Sequence, residues 1–273
     1  MDPEPSTFPD NTNTKRKSAV GKRDNLLKKA AKDFFKGWNA FEYILLVLGI
    51  VAPCVLGIIF GCEAPEIVAG TLMIVMTLLL AKGKFAGYFV ALVATGMYAW
   101  ISWRHNLYGE VAIQIAIYLP ISIFGIMSWA KNRRRTRTDG VVVVIGHVSY
   151  KELALLIFSQ IAMGVGYYYL FRWLGTQQLV ASVASVCLSV CGGYLLARRS
   201  RKAMWLNTAS DIAGVVLWSL VLAQGHTAAI PLVVMEVLIL ASNFYGIFEW
   251  RNLHKKQRPR RRKKQTEPVI AEK

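Results

Sequence analysis

The chain has 273 residues, 54% of them apolar and only 18% charged, with a formal net charge of +17. A composition this apolar excludes a single soluble core. The excess charge, which on a soluble protein would suggest nucleic acid, is confined to short loops and tails between apolar runs, which argues against such a partner.

In chain order, residues 1–21 are polar and Pro-rich and read as a disordered tail without the apolar core of a signal peptide. Residues 22–38 place Leu27, Ala31, Phe34, Phe35 and Trp38 on one side and lysines on the other, the pattern of a helix lying on an anionic membrane surface. Asn39 with Glu42 three residues later is a capping-box pattern that opens the first apolar span. Eight spans follow, at about 41–60, 65–81, 86–103, 109–129, 152–175, 178–197, 203–223 and 228–249. Each is long enough to cross a bilayer, since about 20 helical residues reach across about 30 Å of hydrocarbon. Connections are short except at 130–151, where the Val141–Ile145 run is too short to span and reads as a small extended segment. Ser149 and Glu152 then cap the fifth span. The cysteines, Cys54, Cys62, Cys187 and Cys191, lie in or beside apolar spans at neither disulfide nor zinc spacing and read as small packing residues; no metal or cofactor is expected.

Charge sets the orientation. Of the 33 Lys and Arg residues, all but Arg104 and Arg172 fall on one side if there are eight spans and both termini are cytoplasmic. One span more or fewer would put a heavily basic loop or tail outside.

The sequence also repeats. Phe124-Gly125-Ile126-x-x-Trp129 matches Tyr245-Gly246-Ile247-x-x-Trp250 at an offset of 121, and Lys84, Gly96 and Trp100 match Lys202, Gly214 and Trp218 at 118. Leu-Leu-Ala followed by a basic residue closes both the second and the sixth spans. Spans two to four therefore recur as six to eight, and the odd unit plus one crossing helix leaves both copies the same way up. The predicted fold is all-α: a polytopic membrane protein with an extra first helix (39–63) and a 3+1+3 parallel-repeat core. That core is a first three-helix repeat (64–129), a loop and linker helix (130–175), and a second repeat (176–250), followed by a basic tail (251–273). Gly96 and Gly214 are expected to permit close helix approach.

Candidate binding residues lie within the spans. In the seventh, Asn207, Asp211, Gly214 and Trp218 share one helical face. A carboxylate at that depth belongs in a polar cavity, not against lipid. Gln114, Tyr118 and Ser122 share a face of the fourth span, and Glu236 and Asn243 a face of the eighth, with Tyr245 adjacent. Ser122 and Asn243 are repeat-equivalent, which sets them across the pseudo-axis. Trp205, near a basic end, and Trp100, the deeper partner of Trp218, complete the set. Each has a competing structural role: Asp211 and Gln114 as interhelical glue, Glu236 as a neutral packing group, the tryptophans as packing or anchors. Trp103, Trp129, Trp173 and Trp250, near span ends, read as interface anchors, and the Tyr167–Tyr169 run as packing or belt. His105 and His226 fall in outer loops, His147 and His254 on the basic side.

Parallel three-helix repeats around a linker helix resemble transporters of the SWEET type. The FEYILL opening of the first span, YGEVAIQIAIYLPISIFGIMSW in the fourth and W-x-N-x-x-x-D in the seventh resemble, more narrowly, the PnuC family of bacterial vitamin transporters, over roughly residues 38–255. Such membership implies import of nicotinamide riboside by facilitated diffusion with alternating access, trapping by cytosolic phosphorylation, a bacterial cytoplasmic membrane location and a homotrimer. Uptake of thiamine or riboflavin, which relatives of the family carry, is the alternative that the same resemblance implies. Where the family often has an aromatic residue, this chain has Met127. A flat pyridinium cation with an amide and sugar hydroxyls calls for aromatic faces, a negative or dipolar group and hydrogen-bond partners, all present within these spans. No phosphate-cradling loop is present. The reading from a different class, an intramembrane enzyme on a lipid substrate using Asp211 and Glu236, lacks a cluster of acids and histidines at metal-ligand spacing. The basic loop and tail read as topology determinants, with anionic lipid headgroups as the other reading.

Overall fold

A computed structural model describes residues 36–104, 108–136, 140–175, 179–225 and 229–257. The tail at 1–21, nearly all of the 22–38 surface segment, His105, His226 and the basic run from 258 lie outside these residues.

Among the described residues, eight helices are long and apolar enough to cross a membrane. They are α1 (Ala40–Ile59), α2 (Ala64–Ala81), α3 (Ala86–Arg104), α4, α5 (Tyr150–Trp173), α6 (Leu179–Ala197), α7 (Lys202–Ala223) and α8 (Ile230–Gln257). The helix α4 is composite: Tyr108–Ile113, a π-turn at Gln114–Tyr118, then Leu119–Lys131. Pro120 accounts for the wide turn. It has no N–H to give the carbonyl of Ala116, and the Leu119 N–H reaches back to the Gln114 carbonyl instead. The helix α8 runs eight residues beyond the expected span, into the basic tail.

The six helices of the two repeats close a ring. Within each repeat the middle helix packs on both its neighbours: α3 on α2 and α4, α7 on α6 and α8. Between repeats, α2 packs on α8 and α4 on α6, so the first helix of each copy meets the last helix of the other. Outside the ring, α1 lies on α2 and α8, and α5 on α6. Large apolar side chains cover the outside, with Ile58, Phe158, Ile161 and Trp103 among the most exposed, as lipid-facing helices require.

Two tryptophans lock the ring at its basic end. Trp129 of α4 donates its indole N–H to the carbonyl of Leu196 in α6 at 3.0 Å, and Trp250 of α8 donates to the carbonyl of Leu80 in α2 at 3.2 Å. Trp129 and Trp250 are repeat mates, and so are Leu80 and Leu196. The two bonds are therefore one interaction made twice, each time from one repeat to the other. Both indoles are fully buried, with ring centroids 5.9 Å apart. This corrects the reading of Trp129 and Trp250 as interface anchors: their span ends are interior because two copies of that end meet. Trp103 and Trp173, by contrast, are exposed.

The acceptor carbonyls sit in matching helix ends. α2 and α6 each close with a left-handed residue, Gly83 (φ 71°) and Arg199 (φ 62°), and each has the next amide bonded back five residues, Lys84 to Leu79 and Ser200 to Leu195. The segment between the repeats ties both ends down. It forms a two-stranded hairpin, β1 (Arg133–Thr136) with β2 (Gly140–Val143), where only an extended run had been expected. Beyond the turn, Val143 N–H donates to the Gly83 carbonyl and Gly146 N–H to the Arg199 carbonyl, both at 3.0 Å. Gln257 of α8 holds the same segment through Ile145 N–H and the Val143 carbonyl, each at 2.9 Å. Val142 and Val143 are buried beneath the basic end.

The outer helices share a device too. Glu42, near the start of α1, accepts from the Asn39 backbone at 2.8 Å, from Lys82 and from the Tyr245 hydroxyl; Lys82 also faces Glu249 at 3.7 Å. Glu152, near the start of α5, is bonded by Arg198 at 2.6 and 2.9 Å and by the Tyr194 hydroxyl at 2.9 Å. Lys82 and Arg198 are repeat mates. The Glu42–Lys82 pair is buried while the Glu152–Arg198 pair is partly exposed. The bond from Glu152 also holds the Arg198 guanidinium above its ordinary pKa range.

Trp129→Phe and Trp250→Phe are each expected to cost about 1 kcal/mol for the lost hydrogen bond, and the alanine variants about 3–5 kcal/mol. Thermal unfolding of the purified protein in detergent should show the two positions shifting the midpoint alike. Glu42→Ala takes from buried Lys82 its closest carboxylate and leaves it only Glu249 at 3.7 Å, and should cost about 3 kcal/mol. Glu152→Ala, at a half-wet pair, should cost about 1 kcal/mol or less.

Candidate functional site

The central polar feature of the second repeat joins α7 to α8. Asn243 donates its side-chain N–H to Asp211 Oδ2 at 2.8 Å, with both residues buried. One turn along α7, Gly214 presents bare backbone to Glu236: a β-carbon there would lie 3.0–3.1 Å from the Glu236 carboxylate. One turn the other way, the Asn207 amide lies against Gly192 of α6, where a β-carbon would meet its Oδ1 at 1.8 Å. Two glycines thus admit two long polar side chains between helices. Gly96, the repeat mate of Gly214, has open space at that position, so the expected close approach holds at Gly214 and not at Gly96.

A second polar contact crosses from repeat to repeat. The Tyr118 hydroxyl of α4 donates to Ser189 Oγ of α6 at 2.9 Å. Ser122 and Gln114 are buried on the same helix. The π-turn adds a residue to the turn between Gln114 and Tyr118, so these two do not stack as a plain α-helix would place them. Ser189 was not singled out in the sequence; a serine in an apolar span gives no signal beyond helix packing.

Three predicted site residues stand elsewhere. The Tyr245 hydroxyl is bonded to Glu42 of α1, within the basic-end network. Trp205 is half exposed on the outer surface, with the Arg251 guanidinium 5.3 Å above its ring. Trp100 is also half exposed, beneath Arg104 near the end of α3. Trp218 is half-buried. The structure therefore brings together Asp211, Asn243 and Glu236 between α7 and α8, sets Asn207 against α6, and joins Tyr118 to Ser189 between the repeats.

The chemistry available is binding. When Asn243 gives one N–H to Asp211, its carbonyl oxygen and the second carboxylate oxygen stay available as acceptors for amide or hydroxyl donors. Among the described residues, no three His, Cys, Asp or Glu side chains come together to hold a metal ion.

Comparison with known proteins places this architecture. The family described as nicotinamide mononucleotide transporter matches residues 63–252. The nicotinamide riboside transporter PnuC of Neisseria mucosa is 26% identical over 231 residues, 82% of this chain and 86% of that one. The protein of the same name from Haemophilus influenzae is 24% identical over 235 residues, 85% of this chain and 98% of that one. A crystal structure of the vitamin B3 transporter PnuC superposes with a TM-score of 0.71 at 23% identity, covering 84% of this chain and 97% of its own, and shares the fold.

Glycine-to-alanine variants test the packing. Gly192→Ala should displace Asn207 and lower the unfolding midpoint most, Gly214→Ala should do so less, and Gly96→Ala should gain about 0.5–1 kcal/mol from helix propensity. A midpoint series in any other order would contradict the contacts described.

Proposed function

The chain belongs to the nicotinamide mononucleotide transporter family, and we propose that it imports nicotinamide riboside across a bacterial cytoplasmic membrane by facilitated diffusion. Membership makes it a multi-pass membrane transporter and not an enzyme. Support for the substrate comes from the names of both curated relatives. Within the chain, the observation that carries the proposal is the buried Asp211–Asn243 pair beside Glu236. An acidic, acceptor-rich wall suits a pyridinium cation that also offers an amide and hydroxyls as donors.

In this reading Asp211 and Asn243 orient the ligand, Asn207 and Glu236 flank it, Trp218 lies further along α7, and Tyr118, Ser122 and Gln114 face it from α4. Trp205, Trp100 and Tyr245 play no direct part. Both termini and the tryptophan-locked end are cytoplasmic, by the distribution of basic residues. The locked end then corresponds to a state shut toward the cytosol. Release inward requires both indole bonds and the segment tying Gly83 and Arg199 to give way, the rocking of two repeats about a fixed site. The inside-negative potential favours a cation by about 2.3 kcal/mol per 100 mV, and cytosolic phosphorylation traps the product. The proposal includes the homotrimer.

Vesicles holding the purified protein should equilibrate labelled nicotinamide riboside with saturation at low solute concentration, and should not concentrate it without a potential or a trap. Asp211→Asn and Asn243→Ala should each slow this flux at least tenfold, about 1.4 kcal/mol or more for a hydrogen bond to a charged group. Saturable flux of thiamine or riboflavin with none of nicotinamide riboside would overturn the substrate.

A further inference from the structure

A groove of 630 Å³ runs along the outer surface between α5, α6 and α7, and neither Asp211 nor Asn243 lines it. Its walls are almost wholly apolar. On α5 it extends from Leu153 to Gly164, and on α6 from Leu195 to Cys187. Eleven residues at a helical rise give it a length of about 16 Å. That is the hydrocarbon depth of one leaflet, half of about 30 Å. The deep end is floored by small residues, with a β-carbon at Gly164 3.3 Å from Cys187 Sγ.

The mouth is cationic and aromatic. Lys202 and Trp205 line it, with Lys202 Nζ 5.2 Å from the centre of the exposed Tyr150 ring and Arg251 above Trp205 at 5.3 Å. α5 and α7 both begin here, so two helix N-termini add positive potential. Glu152, the carboxylate on α5 at this level, is already bonded to Arg198 and Tyr194. Lys202 has no salt-bridge partner among the described residues.

We propose that this groove is a binding site for one anionic phospholipid of the leaflet at the basic end, with an acyl chain lying from Leu153 to Gly164 and the phosphate held between Lys202 and Arg251. An apolar slot of leaflet depth beneath a basic interhelical mouth is what such a lipid recognises. A second copy of this chain would need an apolar ridge with an acid at one end. An anionic lipid supplies both parts in one molecule.

The test uses the full chain in detergent, with dioleoylphosphatidylglycerol and dioleoylphosphatidylcholine as probes. Native mass spectrometry reads lipid retention and thermal unfolding reads stabilisation. Phosphatidylglycerol should be retained at about one per chain and raise the unfolding midpoint, with phosphatidylcholine at least about fivefold weaker, the worth of one basic side chain near an anionic headgroup. Lys202→Gln should remove that preference, and Ile161→Trp, which fills the slot, should weaken both lipids. Equal retention of the two lipids by the unaltered protein would overturn the proposal, and that comparison needs no variant to fold. So would an unchanged preference in Lys202→Gln, or efficient disulfide cross-linking of Ile161→Cys to a second copy.

Discussion

A buried indole N–H needs an acceptor, and a helix end leaves carbonyls without intrahelical partners. Both demands are met at one place here, twice. Trp129 and Trp250 each reach out of their own repeat to the last turn of the first helix of the other. The reciprocity turns two three-helix bundles into one closed ring. Neither repeat can tilt at the basic end without breaking a bond that its twin also makes. The rest of that end is arranged around this contact: the left-handed residues that present the carbonyls, the inter-repeat segment that ties them, and the charged networks outside.

This arrangement also separates two kinds of polar burial. At the basic end, charges are paired in place: Glu42 with Lys82 and Tyr245, Glu152 with Arg198 and Tyr194. Such pairs hold α1 and α5 against the ring. Around α7 the polar groups are less complete. Asp211 meets one neutral donor, and Glu236 rests on the backbone of Gly214. A bundle that needed only stability would fill these positions with apolar side chains, because replacing buried polar groups often costs nothing. Retaining acceptors there makes sense where a ligand completes them.

Much of the fold could be read from the residues in order. Eight spans followed from apolar run lengths, and the parallel repeat followed from Gly and Trp spacings and an odd helix count. The capping patterns at Asn39 and Ser149 located two helix starts correctly. What escaped was tertiary. A tryptophan near a span end reads the same whether that end meets lipid headgroups or its own twin, and Trp129 and Trp250 meet the twin. Tyr245 lies two residues from Asn243 in the sequence, but its hydroxyl meets a residue 203 positions away. The π-turn broke the regular spacing on which the Gln114, Tyr118 and Ser122 face was built, although Pro120 marked the place. Nothing in the sequence showed that the outer groove beside Trp205 exists, since it depends on how far α5 leans from α7.

The central claim is that the Asp211–Asn243 pair forms the wall on which nicotinamide riboside rests. Titration calorimetry of the purified protein with this ligand tests it most directly, comparing the unaltered chain with Asp211→Ala, Asn243→Ala and the double variant. The account predicts saturable binding to the unaltered chain, a strong loss in either single variant, and little further loss in the double, because the two side chains act as one unit. Undiminished affinity in both single variants, in protein that unfolds at the usual temperature, would contradict it.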